Sequence, residues 1–141
     1  MPYQYHPASD DQIAKMYQKV RRSGQDQFFN KDNFFHWYYR QYLACPYCGL
    51  TEHNCQEVIM TRLITSEKFT NNAVITDRKS RGLWFELDRL DPHQPYDDQN
   101  CVMCCYFCKN DKSDIFTAAQ YLEFRSDRGA YISNLLSMNN H

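Results

Sequence analysis

Apolar residues recur at Ile13, Met16, Tyr17 and Val20, the i, i+3, i+4, i+7 spacing of one helix face, directly after Ser9-Asp10-Asp11. Serine and aspartate offer side-chain acceptors to the unpaired N–H groups of a first helical turn, so a helix is predicted to open here. Its other face carries Lys15, Lys19, Arg21 and Arg22, and Gly24 stands where a left-handed residue would close it. A second helix is predicted from Asp32 to Leu43, with Phe34, Trp37, Tyr38 and Tyr42 along one side. That aromatic stripe reads either as core packing or, for one of its members, as a stacking surface for a base or sugar. Leu83 to Leu87 (LWFEL) reads as a buried strand, Asp91 to Gln99 as a polar loop, and Cys101 to Cys105 as a second strand. Ser113-Asp114 is predicted to open a helix running to about Phe124, and Asp127 to Met138 a final one. The stretch from Val58 to Arg81 is ambiguous, apart from Ala73 to Thr76 (AVIT), which reads as a strand.

Composition narrows the class. The chain has 141 residues, enough for one domain with helical additions, and 16% of them are aromatic, which suits a packed core. The longest apolar runs fall far short of the roughly 20 residues of a membrane helix. The polar start MPYQYHPASDD does not read as a secretory signal, so the expectation is a soluble, cytoplasmic protein with no membrane partner. Net charge is −1, so any nucleic-acid binding must come from local patches. The segment from Val58 to Arg81 supplies one, with Arg62, Lys68, Arg78, Lys79 and Arg81 against Glu67 and Asp77, a net of +3. It reads as a solvated surface or as a loop that displaces counterions from a phosphate backbone.

Seven cysteines without a secretory signal point to metal ligation in place of a disulfide framework. Cys45-Pro-Tyr-Cys48 and Cys105-Tyr-Phe-Cys108 form two CxxC knuckles. Each places two thiolates on one side of a turn, and a pair of knuckles completes the tetrahedral sulfur set of a structural Zn²⁺ site. Cys101-Val-Met-Cys104 offers a competing register, but Cys105 and Cys108 are preferred because that knuckle leads towards the helix expected near Ser113. Cys55, Cys101 and Cys104 are then buried core thiols, or parts of a second zinc site with His53.

From Glu86 through the second knuckle runs ELDRLDPHQPYDDQNCVMCCYFCKNDKSDIF. An acidic residue ending a strand, an asparagine a dozen positions on, then CxxC and a helix resembles the HNH (ββα-metal) endonuclease family. Asp88 falls on that family's metal-ligand position and Asn100 on its middle position, where it orients the base. The usual histidine is replaced by Arg89. The string Asp88-Arg89-Leu90-Asp91, Tyr96, Gln99-Asn100, Cys105-x-x-Cys108, Lys112-Ser113 and Ile115-Phe116 is similar to a rare-cutting restriction branch of the family, with weaker likeness upstream through CPYCG to Lys31, Phe34 and Trp37-Tyr38. The amino-terminal zinc motif of that branch has no counterpart, since no cysteine precedes Cys45.

The resemblance implies an α+β fold: a helical part over 1–44, a zinc-bound ββα-metal core over 45–125, and a carboxy-terminal helix over 126–141. It implies site-specific cleavage of double-stranded DNA by a homodimer of a bacterial or phage-encoded protein, with a catalytic Mg²⁺ held by Asp88. Arg89 stays protonated in proteins and cannot be a base, but it can clamp a phosphate oxygen. Tyr96 takes the nucleophile or nucleophile-activating role in this reading, and His93, on the same loop, is the second candidate. The position after the last cysteine, an Asn or His ligand elsewhere in the family, is Lys109, whose ammonium has no lone pair. Asn110 is therefore the expected second magnesium ligand, and Lys109 and Lys112 join the DNA-contacting cations. A monomeric HNH nickase from a phage or mobile element, and a catalytically silent zinc module that binds nucleic acid or protein, are the alternatives.

Overall fold

The fold is described from a computed structural model, which covers residues 3–69, 81–125 and 127–139. The strand expected over 73–76 and the cations Arg78 and Lys79 lie outside the described residues. Helix α1 spans Asp10–Arg22 and opens as its sequence predicts, on a capping box in which Ser9 and Gln12 satisfy each other's backbone N–H groups. Gly24, at φ +74°, takes the left-handed turn just beyond its C-cap, Ser23. Helix α2, Lys31–Tyr39, packs against α1. Tyr17 and Phe28 meet Phe34 with ring centroids 5.2 and 5.1 Å apart, and Trp37 closes the cluster 5.4 Å from Phe28. The aromatic stripe is thus largely core.

Helix α2 stops four residues before its predicted end. The N–H groups of Arg40 and Gln41 turn back to Trp37 and Tyr38 carbonyls three residues behind, and Cys45 N–H is already committed to Leu50 O at 2.8 Å. The chain must leave the helix to build that knuckle, which puts Tyr42 off the helix and 84% exposed. Helix α3, Glu52–Met60, is not anticipated from the apolar pattern. Its signals are a Thr51/Asn54 capping box and apolar Cys55, Val58 and Ile59 at i, i+3, i+4. It also buries two polar side chains, which dilutes the pattern. Gln56 binds the backbone of His6 in both directions, and Glu52 accepts from Phe85 N–H at 2.7 Å and from the Tyr5 hydroxyl.

Those bonds explain where the hairpin begins. The strand expected at Leu83–Leu87 is shifted, and β1 spans Glu86–Arg89, because Phe85 N–H is taken by Glu52 and its partner β2, Cys101–Cys104, has only four residues to offer. The two strands are antiparallel, with Asp88 opposite Val102 and Arg89 opposite Cys101. Helix α4, Tyr106–Lys112, follows β2 directly and packs on β1. The helix predicted from Ser113 to Phe124 therefore starts five residues late, and α4 lies ahead of it where no helix is predicted. Ser113 takes a left-handed conformation (φ 57°) that ends α4, and Thr117 caps a separate α5, Ala118–Phe124. Helix α6, Arg128–Asn139, lies on α3. Its Gly129 touches the Cys48 carbonyl so closely that a Cβ would sit 2.0 Å from the oxygen, so any other residue would push the helix off the first knuckle. One apolar core runs continuously from Ile13 to Leu136. Among the described residues no helix is long and apolar enough to cross a membrane.

Candidate functional site

The first CxxC is a turn in which Cys45 O accepts from Gly49 N–H at 2.8 Å. The second is the N-terminus of α4: Cys105 is the N-cap, its sulfur accepting from Cys108 N–H at 3.4 Å. Cys45, Cys48, Cys105 and Cys108 converge so that all four sulfurs lie within 4.8 Å of one another. The Cys48 and Cys105 sulfurs are 3.7 Å apart, matching the roughly 3.8 Å edge of a tetrahedron built on about 2.3 Å zinc–sulfur bonds. This donor set fits a structural metal such as zinc. Hydrogen bonds from Cys105 lower the Cys45 thiol pKa, while the surrounding sulfurs raise that of Cys105 itself. Metal-free, the four groups share protons unequally, whereas a bound cation would take all of them as thiolates. Arg128 adds a positive neighbour, its Nη1 lying 3.5 Å from Cys108 Sγ.

The remaining thiols stay apart from any second site. Cys55, Cys101 and Cys104 are buried, and burial pushes the Cys101 thiol up to about 12. His53 lies on the outer face of α3 beside Glu57 and stacks on Tyr5. No second sulfur cluster forms among the described residues.

Asp88 is 1% exposed and its carboxylate is crowded with donors. Oδ1 accepts from Lys109 Nζ at 3.2 Å and lies 3.3 Å from Lys112 Nζ. Oδ2 accepts from the Tyr47 hydroxyl at 2.6 Å and lies 3.2 Å from the same Lys112 ammonium. Lys112 is itself wholly buried and donates a further bond to Arg89 O at 2.8 Å. Its expected place among DNA-contacting cations is thus corrected: three residues after Lys109, it faces inward on the same side of α4 and neutralises Asp88. Tyr47, the residue inside CPYC, was not anticipated, since a tyrosine between two zinc ligands carries no signal of its own. Burial and the bond to Asp88 raise its pKa far above the ordinary phenol range, so it stays protonated as a donor.

Lys109 joins two environments. Inward it reaches Asp88; outward it pairs with Asp114 at 3.4 Å and lines a cavity of about 390 Å³ with Lys68, Arg81, Glu86, Tyr106, Asn110 and Ser113. Burial works against its charge, but Asp88 and Asp114 outweigh that and raise its pKa. Asn110 is exposed on the cavity side, so the side chains that α4 brings to Asp88 are lysines.

Arg89, the next residue of the strand, points the other way. Its guanidinium stacks 4.4 Å from the Tyr96 ring centroid, Nη1 donates to Gln25 Oε1 at 3.0 Å, and Nε is buried with no partner. Tyr96 is pinned by its backbone, its N–H donating to Gln25 O and its carbonyl accepting from Gln27 N–H. Asn100 organises this loop, its amide donating to the Asp91, Gln94 and Pro95 carbonyls while Oδ1 accepts from Asp91 N–H. His93 is exposed at the loop tip. Of the expected DNA contacts, Lys68 lines the cavity, Arg62 lies just past α3 at φ 61°, and Arg81 forks onto Glu86 and stacks 4.8 Å from Tyr106.

These donors do not fit a divalent cation at Asp88. An ionised carboxylate offers about four lone-pair sites, and four contacts from Lys109, Lys112 and Tyr47 occupy them. A divalent ion about 4 Å from either ammonium would meet a repulsion of about 8 kcal/mol at an effective dielectric of about 20.

No protein-family description and no curated protein matches the sequence. Among solved structures, the chain is similar to the rare-cutting HNH restriction endonuclease PacI, a protein described as perturbing DNA. The TM-score is 0.60, the sequence identity 22%, and the match covers 97% of this chain and 94% of that one. With its hairpin, its following helix and the cysteine pairs that frame them, the chain therefore has the HNH, or ββα-metal, fold.

Proposed function

We propose that this protein is a DNA endonuclease of the restriction type, hydrolysing phosphodiester bonds in a duplex. The observation that carries this reading is the open, cation-rich cavity around Lys109, set beside a buried carboxylate on a ββα unit. Lys109, Lys68 and Arg81 line that cavity with Glu86 and Asp114, a net excess of one positive charge, which suits a polyanion. The match to PacI over nearly the whole chain supports DNA as the partner.

In this reading the sulfur cluster holds zinc and fixes the first turn of α4, which sets Lys109 against Asp88. Arg89, on the opposite side of β1 from Lys109, is the candidate clamp for a neighbouring phosphate of the same strand. Tyr96, beneath that guanidinium, is the group that activates the nucleophile, with His93 as its substitute; Asn100 positions both through the loop. Two copies on a two-fold-symmetric target would cut both strands.

The test is incubation of the zinc-loaded protein with long duplex DNA of varied sequence, with and without added Mg²⁺. Discrete fragments are expected. Nicks alone would leave a single-strand endonuclease. Retarded but intact DNA under every condition would replace the enzyme with a binding module, the reading that the saturated Asp88 carboxylate favours. Tyr96→Phe is expected to abolish cutting and keep binding; full activity would move its role to His93 or to water.

A further inference from the structure

We propose that the cation of this nuclease site is the Lys109 ammonium, so that the chain engages and cuts DNA phosphodiesters without a divalent metal. This rests on the endonuclease reading above. Three observations carry it. All the lone-pair capacity of Asp88 is spent on Lys109, Lys112 and Tyr47, so no oxygen is left to ligate a metal. Asp88 and Asp114 balance the two ammonium groups, but the cavity wall as a whole, with Lys68, Arg81 and Lys109 against Glu86 and Asp114, keeps a formal excess of one positive charge, and a diester phosphate carries one negative charge. The excess is also delivered outward: Lys112 is sealed in, while Lys109 keeps 21% of its side chain exposed and faces the cavity it shares with Lys68 and Arg81.

The division of labour follows. Lys112, fixed by Asp88 and by Arg89 O, holds the carboxylate in place. Asp88 orients Lys109. Lys109 faces the non-bridging oxygens, where charge grows as a water oxygen bonds to phosphorus and the bond to the 3′ oxygen breaks. The attacking water gives up its proton, to the activating group of that reading or to solvent, and the leaving oxygen takes one up, so the products are a phosphate monoester and an alcohol, and no co-reactant beyond water is needed.

Two measurements on the zinc-loaded protein decide this. In a titration with Mn²⁺ followed by electron paramagnetic resonance, the wild type is expected to show no stoichiometric site. One Mn²⁺ per chain, lost in Asp88→Asn, would overturn the proposal whether or not the protein cuts DNA. In buffer freed of divalent ions, with zinc content verified afterwards, cutting is expected within about twofold of the rate in Mg²⁺. Lys109→Met is expected to lower it at least about 100-fold, the scale of losing one preorganised donor, with no recovery in Mg²⁺ or Mn²⁺. Lys109→Arg, which keeps the charge, should recover part of the loss. Cutting that depends on added Mg²⁺ or Mn²⁺, or a Lys109→Met variant as active as wild type, would overturn the proposal and leave the endonuclease reading standing. If nothing is cut under any condition, the endonuclease reading fails and the Mn²⁺ titration alone judges the cation.

Discussion

One face of α4 builds two charge clusters of opposite logic. Cys105, Cys108, Lys109 and Lys112 follow one another at i, i+3, i+4, i+7, so the first turn presents sulfur and the second turn ammonium. With Cys45 and Cys48 the sulfur end gathers four potential anions, against which the described residues set Arg128 beside Cys108 and Arg125 on the Tyr47 carbonyl. It needs an ion from solution. The ammonium end pairs two lysines with Asp88 and Asp114 and is already neutral. A metal would therefore act as structural glue at one end and finds no free ligand at the other, a turn away. The same fold carries both because each cluster is completed from elsewhere, the first by the knuckle at 45–48 and the second by β1 and Tyr47.

The comparison is broken most severely by removing the metal from the sulfur end. Cys108→Ser, or stripping zinc with a strong chelator, is expected to abolish cooperative folding, since structural zinc commonly supplies about 10 kcal/mol or more in small domains. Circular dichroism melts check it. At the ammonium end no chelator should matter, but Lys112→Met leaves Asp88 with one ammonium and is expected to cost about 3–5 kcal/mol in urea unfolding, as for other broken buried ion pairs. The double variant with Asp88→Asn should recover part of that loss, because the two positions couple. Tyr47→Phe removes one neutral donor from the same carboxylate and should cost about 1–3 kcal/mol while leaving the zinc content unchanged. That outcome would separate the two clusters at the one residue that adjoins both.

The smallest effect concerns Glu52, a carboxylate that, unlike Asp88, has no lysine. Burial raises its pKa, against the opposing bonds from Phe85 N–H and the Tyr5 hydroxyl. The folded state thus holds this proton to higher pH than the unfolded chain does, and stability falls as pH rises from the ordinary carboxylate range through the raised value. Relative to Glu52→Gln, the wild type should lose stability on going from about pH 5 to pH 8; a flat difference would show that its two donors fully compensate the burial.

Local chemistry was readable where a short-range device fixed it. The Ser9 cap, the Gly24 turn and the two CxxC spacings each need only a few consecutive residues, so the first helix and the sulfur ligands follow from the chain itself. Cys105 and Cys108, and not Cys101 and Cys104, join Cys45 and Cys48, and the helix that follows begins at the knuckle, capped by Cys105, and not near Ser113. Helix α3 is hidden in the apolar pattern because Glu52 and Gln56 are two of its five buried residues, and they find partners only in segments far along the chain.

The sequence by itself determined a zinc-type sulfur set, a hairpin-and-helix unit between its halves, and a concentration of ionisable residues there. Tertiary structure alone decided which of those residues meet. Asp88 and Arg89 are neighbours in sequence, yet a strand sends successive side chains to opposite sides, so Asp88 goes to Lys109, Lys112 and Tyr47 while Arg89 goes to Tyr96 and Gln25. Tyr47 lies 41 residues from Asp88 along the chain, and no local pattern encodes that meeting. It exists because the sulfur cluster draws residues 45–48 against the start of α4, which carries the phenol onto the carboxylate beside it.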